Sequence, residues 1–423
     1  MRFEVAAHVT GPGILAGEAA TEGGDIDLTT AVDRLEAWLR CEFVDRNTRL
    51  EEAYFSAGRE VLCDRPDLDE LKWAIVHDGA RLIAPIGAPG TIPAGTGERY
   101  RLLGAVGFYL AACRRHEADG TGDRLDSPLA PAWALASRLG SSLGVAPRFV
   151  FAHQSIYNPA VGGVYRLFTN LEDEVVFVTN NALSVLAYQR AAHALRSVLP
   201  MGPSSPVAAY LFEGARAALD DVLHFNRTLG GALHADRFFF NIRPYYKPHL
   251  VGEVEYRGAN AGDFAAVNEI DLLLGLCQAD DPFYQHVVTE KYAYVPPGDQ
   301  VLLRQAVGRQ SLLDRFLAEA QAEAGAVSAH LRHNAGLFLA VCRSHGAAYS
   351  YHHQQLVKPF LEEPAKASPA DRQEAMTASG PPLEVVVESL ARLRDLRLAR
   401  DRPGASSARA ALDRLRHLTA TPA

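Results

Sequence analysis

Apolar residues recur at three- and four-residue steps along several long segments of this chain, and this periodicity limits the fold more than any other feature. They form a broad stripe over Val207–Leu229, and Ala265–Cys277 is almost continuously apolar. Ser328–Lys358 is a third such segment, which we expect to end at Pro359 because proline breaks an α-helix. From about residue 131 onward the pattern predicts helical structure, with one strand-like run at Val175–Val178.

The first 125 residues are mixed in character. Two helix-like segments, Ala31–Phe43 and Leu102–Arg115, flank a loop rich in proline and glycine at residues 84–97. A polar, turn-rich stretch follows at residues 117–131. We therefore predict a small N-terminal region over residues 1–125 and a helical domain over residues 126–396. An Arg/Ala-rich tail over residues 397–423 is expected to be a peripheral helix or disordered.

Charge and composition limit the classes of partner that the protein is expected to bind. The net charge of -8 disfavours nucleic acid, because phosphate contacts use clustered lysine and arginine. No segment approaches about 18 uninterrupted apolar residues, and the N-terminal sequence lacks the apolar core of a signal peptide. We therefore expect a cytoplasmic protein with no membrane partner. The five cysteines lack metal-ligand spacing, so any metal chemistry would use some of the 15 histidines.

The sequence FFFNIRPYYKP, residues 238–248, has the residue types of a site for an aromatic carboxylate. Three successive aromatic residues cannot all face one side of a helix, so we expect at least one to face a cavity. Arg243 follows Phe239 by one helical turn, which places its guanidinium beside the rings, where it could bind a carboxylate with two hydrogen bonds. The alternative is a helix end with phenylalanines in the core and an arginine on the surface.

The segment AYSYHHQQLVKPF, residues 348–360, carries two adjacent histidines. His352 lies three residues after Tyr349 and four before Leu356, and His353 fits with those steps reversed, so either can point inward. An imidazole held by a rigid helix in an apolar cavity is the usual one-sided ligand of haem iron. The alternative is an ordinary buried or partly exposed histidine. The inward stripe comprises Leu331, Ala335, Phe338, Cys342, His345, Tyr349, Leu356 and Phe360.

A third motif, TASGPP at residues 377–382, lies between two predicted helices, the second of which begins near Leu383. Small residues with free backbone N–H groups and hydroxyls can wrap a substrate's ammonium or carboxylate, or a haem propionate. The alternative is an ordinary loop between helices.

Taken in order, these segments resemble the haem-dependent indoleamine/tryptophan 2,3-dioxygenase superfamily. FFFNIR resembles its F-F-x-x-x-R segment, and GANAGDFAAVNEIDLLLGL resembles its G-x-A-G-x-S-S stretch and the apolar helix that follows. YVPPGDQVLLRQ, SYHHQQLVK and TASGPP resemble its Y-x-P-P, proximal-histidine and C-terminal G-T-G-G segments. The divergent bacterial branch typified by monodechloroaminopyrrolnitrin synthase, which rearranges tryptophan-derived indoles, is the nearer branch.

The resemblance implies an all-α fold, with a helical haem domain of the indoleamine 2,3-dioxygenase type and one haem b (iron protoporphyrin IX). His352 would be the iron ligand, with His353 as the fallback, and Arg243 would bind the substrate carboxylate. Phe238 and Phe239 would wall the substrate's ring, and Gly262 would lie against the haem edge. Thr377 and Ser379 would approach the substrate's amino-acid end. The oxygen-binding side would be formed by Phe151, His153 and Ser184.

The resemblance further implies an oxidoreductase of secondary metabolism that uses O2 and an electron donor on tryptophan or a related indole. Phe264 and Ala265 replace the family's two serines, and the C-terminal loop lacks its glycine pair, so the loops over the substrate differ. Haem binding is implied, whereas dioxygenation of free tryptophan is not. Two alternatives stay open: a haem protein that senses a ligand without turnover, and a helical scaffold that has lost haem.

Overall fold

The computed structural model describes residues 28–87, 92–117, 127–323, 327–364, 383–402 and 407–420. Its architecture is helical, which confirms the predicted all-α class. The α-helices of the described chain are α1 (Leu28–Arg40), α2 (Glu42–Ser56), α3 (Pro66–Ile83), α4 (Thr96–Arg115), α5 (Ala130–Leu143), α6 (Glu172–Val198), α7 (Pro206–Ala232), α8 (Ala235–Arg237), α9 (Ala265–Leu274), α10 (Pro282–Lys291), α11 (Pro297–Val307), α12 (Leu312–Ala322), α13 (Ala329–Tyr351), α14 (Leu383–Arg397) and α15 (Arg409–Leu418).

Two π-helices and one small sheet complete the regular structure that positions the site. The π-helices are πA (Phe238–Ile242) and πB (His352–Glu362). Strands β1 (His249–Val251) and β2 (Val254–Tyr256) pair antiparallel, with His249 opposite Tyr256. Gly252 has a φ of 62° in the tight turn between them, a conformation that glycine adopts without strain.

Side-chain caps and prolines start several helices. Ser205 and Asp281 each accept a hydrogen bond from a backbone N–H in the first turn, and a proline follows each of them as the first helical residue. Ser328 caps α13 in the same way, through the backbone N–H of Leu331 at 3.2 Å. These local signals place the helix starts close to where the apolar periodicity predicts them.

The strand predicted at Val175–Val178 is wrong, because these residues lie inside α6. The first turn of α6 carries Glu172, Asp173 and Glu174, whose charges favour the positive N-terminal end of a helix. The helix then continues for 27 residues and packs along α7. This packing outweighs the weak β preference of three valines and a phenylalanine.

The prediction that the third long helix ends at Pro359 is also wrong. The chain passes from α13 into πB at His352, and Pro359 lies inside πB. Proline removes one N–H and clashes with the carbonyl four residues earlier in an α-helix, and the wider π-helix accommodates it. Two of the three segments predicted to carry chemistry thus contain a π-helix, a geometry that is frequent at functional sites.

Most buried apolar residues form one continuous core. It extends from Ala31 in α1 to Leu415 in α15, and so crosses the boundary predicted near residue 125. At its centre α6 and α7, joined by a short connection, pack as a helical hairpin, and α13 packs against α7. Among the described helices, none has the length and apolar character needed to cross a membrane.

Gly107 lets α4 approach the chain at Phe149. A Cβ at this position would lie 2.4 Å from the backbone nitrogen of Phe149, so alanine cannot fit unless the backbone moves. We predict that Gly107→Ala destabilises the fold by about 1–3 kcal/mol, the usual cost of overpacking. Urea denaturation of the two proteins measures this difference.

Gly97, in the first turn of the same helix, is the matched control. A Cβ there meets no atom within 4 Å, so Gly97→Ala should keep or slightly raise the stability. A Gly107→Ala protein that unfolds at the wild-type urea concentration would contradict the close approach of α4 and residue 149.

Candidate functional site

A buried polar network holds πA, the segment that carries the predicted ring walls. Arg115 of α4 binds Glu51 of α2 through two hydrogen bonds of 2.8 and 2.9 Å. The side chain of Asn241 in πA donates to the same carboxylate at 2.9 Å. All three side chains are buried. The N-terminal helices therefore fix the position of πA through a charged pair rather than through apolar contact alone.

Arg243, directly after πA, is a buried cation. It is 6% exposed, and its guanidinium lies 4.9 Å from the ring centroid of Phe239. This confirms the prediction that these two side chains lie next to each other. Burial lowers the pKa of Arg243 to about 10, so the group stays charged at neutral pH. Within the described ranges, no residue forms a hydrogen bond or an ion pair with its side chain.

This lack of a partner sets Arg243 apart from the other buried arginines of the described chain. Those donate to carboxylates (Arg115, Arg397) or to backbone carbonyls (Arg148, Arg166). None of the Arg243 nitrogens is among the fully buried atoms without a hydrogen-bond partner, and the charge of Glu60 partly offsets the effect of burial on its pKa. The guanidinium is thus held in a largely apolar setting but is still open to an incoming group. The position therefore suits a ligand that brings an anionic group, and a guanidinium fork favours a carboxylate.

A row of aromatic rings connects πA to the histidine-bearing πB. Phe238 lies 4.9 Å from Phe177 of α6 and 6.2 Å from Phe360 of πB, measured between ring centroids. Phe177 in turn lies 5.8 Å from Phe151. Phe238 and Phe360, predicted separately, are thus in direct contact, and Phe177 links Phe151 to them. Phe177 was not among the predicted site residues, because its run of residues predicted a strand.

One face of α6 runs along the site. Phe177, Ser184 and Tyr188 are spaced by seven and four residues, which places them on the same side of the helix. Ser184, predicted for the oxygen-binding side, is buried there. At the far end, the Tyr188 ring lies 5.3 Å from Phe264, the residue that departs from the family pattern. The face therefore extends from the ring walls to the loop that precedes α9.

The two candidate ligands sit at the start of πB in different surroundings. His353 is 2% exposed, and both of its ring nitrogens are buried without a hydrogen-bond partner. His352 is partly exposed, its Nδ1 is buried without a partner, and its ring stacks on Tyr349 with centroids 5.9 Å apart. Burial lowers the pKa of His352 to about 4, so the imidazole is neutral at pH 7, as an iron ligand must be.

The remaining predicted residues lie at the edges of this region or outside the described chain. His153 is buried, accepts a hydrogen bond at Nδ1 from the backbone of Val150, and packs 4.2 Å from the ring of Tyr100 on α4. Gly262 lies in a loop held by Lys291, whose Nζ donates to the Gly262 carbonyl at 2.7 Å. Thr377 and Ser379 lie outside the described residues.

The donor set fits a metal held through a cofactor better than a metal held by the protein alone. No group of three or more His, Cys, Asp or Glu side chains with metal-binding geometry occurs in the described part of the chain. His352 and His353 have buried ring nitrogens without a partner, as do three other histidines of the described chain (His153, His249 and His345). His352 also stacks on the ring of Tyr349. One imidazole against an apolar wall is the arrangement that haem uses.

A comparison with protein families identifies the family of the chain. The family model described as monodechloroaminopyrrolnitrin synthase PrnB matches residues 29–419, which is nearly the whole chain. The matched range contains πA, α6, α9, α13 and πB. It also contains Thr377 and Ser379.

Proposed function

The chain belongs to the monodechloroaminopyrrolnitrin synthase PrnB family, and we propose on that premise that it is a haem-dependent oxidoreductase acting on tryptophan or a tryptophan-derived indole. The single observation that carries the proposal is Arg243: a cation on a buried residue, with no hydrogen-bond or ion-pair partner in the described chain, that lies over the ring of Phe239 directly after πA, and πA itself packs against πB. An aromatic amino acid would satisfy the cation and fill the space beside the rings.

We propose that one haem b binds against πB with His352 as its iron ligand and His353 as the fallback. The unpaired ring nitrogens of the two histidines support a ligand at the start of πB, because a buried imidazole without a partner is costly unless a ligand completes it. They do not separate His352 from His353, and the variants described below do so. Gly262 would face the edge of the macrocycle, at a position where the chain leaves room for a ligand to approach closely. Bound haem would supply the binding of O2 and its activation, with electrons from a separate donor.

The protein's own contribution would be orientation and exclusion of water. Arg243 would hold the substrate carboxylate, and Phe238 and Phe239 would enclose the indole. Thr377 and Ser379 would approach the substrate's ammonium group. Phe151, His153 and Ser184 would line the oxygen side. Ser184 lies on the α6 face, the Phe151 ring contacts Phe177 of that face, and His153 packs on Tyr100 of α4.

The proposed reaction is oxidation or rearrangement of the indole ring in secondary metabolism. Phe264 stands where the dioxygenases of the superfamily have a serine, and its ring packs on Tyr188. An aromatic side chain at this position removes a hydroxyl that could bind the substrate. The difference supports a substrate other than free tryptophan or a product other than the dioxygenated one.

The substrate class is tested by titrating the ferric protein with ligands while the Soret band is followed. The ligands are L-tryptophan, D-tryptophan, 7-chlorotryptophan, tyrosine and leucine. We predict a spectral shift with one or more of the indoles and none with leucine, because a small aliphatic side chain leaves the aromatic-lined space underfilled.

Two outcomes of this titration would change the proposal. A stronger response to tyrosine than to every indole would move the substrate class to phenols. A protein that holds haem and responds to none of the five would contradict the indole amino acid as substrate and favour a ligand-sensing role. Turnover of a responding indole with reductant and O2, followed by mass spectrometry, then separates an oxygenase from a binding protein.

A further inference from the structure

Asp271 of α9 is a fully buried carboxylate that organises three other elements. Arg397 of α14 binds it through two hydrogen bonds, Nε to Oδ1 at 2.8 Å and a terminal nitrogen to Oδ2 at 2.6 Å. The Nε2 atom of His345 lies 2.7 Å from Oδ1, and the hydroxyl of Tyr284 donates to Oδ2 at 2.8 Å. The guanidinium holds the pKa of Asp271 well below its usual range, although burial opposes this. The carboxylate is therefore ionised, and both of its oxygens already have hydrogen-bond partners.

Arg397 also contacts Tyr349, whose ring stacks on the proposed iron ligand His352. Arg397 is 3% exposed, and its guanidinium lies 4.0 Å from the ring centroid of Tyr349. The same ring stacks on His352, with centroids 5.9 Å apart and an angle of 21° between the planes. Asp271, Arg397, Tyr349 and His352 thus form a continuous series of contacts from α9 to the start of πB.

We infer that Arg397 is a positioning residue for His352, an inference that rests on the proposed haem ligation by that residue. Held by Asp271, the guanidinium fixes the ring of Tyr349, and that ring fixes the plane of the imidazole. The positive charge also disfavours electron donation from the imidazole to the iron. The reduced, ferrous state of a bound haem is stabilised as a result.

The surroundings of the His352 Nδ1 atom also favour a weakly electron-donating imidazole. Metal-bound histidines usually donate their second N–H to a carboxylate or carbonyl, which makes the imidazole a stronger ligand. Here Nδ1 is buried and has no such acceptor within the described ranges. The oxygens of Asp271 are taken by Arg397, His345 and Tyr284. The other buried carboxylate close to πB, Asp395 of α14, is paired with Arg394 and Arg402. The ligand is thereby kept a weak donor.

The test uses haem-loaded protein and two readouts that a purely structural ion pair would not change: the midpoint potential of the haem and the iron–histidine stretching band of the ferrous form.

Tyr349→Leu removes the ring, and Tyr349→Phe retains it. Asp271→Asn/Arg397→Gln replaces the ion pair by neutral groups of similar shape, so no buried charge is left unpaired. We expect Tyr349→Phe to match the wild type, Tyr349→Leu to shift or broaden the band, and the double variant to lower the potential.

Glu269 and Arg196 provide the matched control, since they form another ion pair on α9, 2.5 Å apart and two residues from Asp271. Glu269→Gln/Arg196→Gln should leave both readouts unchanged. The inference would be overturned if Tyr349→Leu and the Asp271/Arg397 double variant both kept the wild-type potential and band while His352 still held the haem. The proposed function would then remain standing. A wild-type Soret band in His352→Ala would overturn the ligation itself, and with it the inference.

Discussion

His352→Ala is expected to abolish the Soret band of the purified protein. The imidazole is the proposed single bond between the chain and the iron, and alanine offers no replacement ligand. The fold should survive, because the side chain forms no hydrogen bond through its buried Nδ1 atom and lies at the partly exposed start of πB. Absorbance at the Soret band relative to that at 280 nm, together with far-ultraviolet circular dichroism, measures haem content and folding on one sample.

Two further variants make the assignment specific. His333→Ala, at an exposed position on α13, should bind haem as the wild type does. His353→Ala should also keep the band, and if it loses the band while His352→Ala retains it, the ligand moves by one residue. Wild-type spectra from both His352→Ala and His353→Ala would show that this helix does not hold the haem.

Arg243→Ala is expected to abolish the response to an amino-acid substrate while haem stays bound. Removing one partner of a buried charged contact costs about 2–5 kcal/mol, which corresponds to a loss of affinity of about 30-fold to several thousand-fold. Arg243→Lys should lose less, because it keeps the charge but not the two-pronged geometry. Titration of each variant with the indole that gives the largest shift in the wild type measures the change.

Arg237 supplies the control for this prediction. It lies six residues earlier on α8, binds Glu52 at 3.0 Å and stacks 3.8 Å from the ring centroid of Phe55. Arg237→Ala should therefore leave substrate affinity near the wild-type value. Unchanged affinity in Arg243→Ala, with haem content equal to that of the wild type, would rule out the carboxylate contact.

Local patterns were enough to predict much of the framework. The three- and four-residue spacing identified α7, α9 and α13, and every residue of the predicted inward stripe from Leu331 to Phe360 is buried. Arg243 lies beside Phe239, as one-turn spacing requires. These successes share a cause, since the contacts involved lie within one helix or within one short segment.

The errors arose where tertiary structure overrides local preference. Val175–Val178 has β-branched residues, yet it belongs to a helix whose packing decides its conformation. Pro359 reads as a helix end because the rule assumes α-helical geometry, whereas πB tolerates it. In both cases the missed conformation matters for the site, since α6 supplies Phe177 and πB supplies the histidines.

The contacts that define the site's charge could not be predicted from local spacing. Asp271 and Arg397 are separated by 126 residues, and no pattern near either one marks the pair. The lack of a partner at Arg243 is visible only once burial and all neighbouring side chains are known. The loop with Thr377 and Ser379 lies outside the described residues, so its role stays a prediction.

The central claim is that this helical chain holds one haem, and a titration of the haem-free protein with haemin tests it most directly. The account predicts that the Soret band moves away from that of free haemin and that the change saturates sharply at one equivalent per chain. Absorbance that rises without a shift and without an endpoint, as for adventitious haemin, would contradict the account.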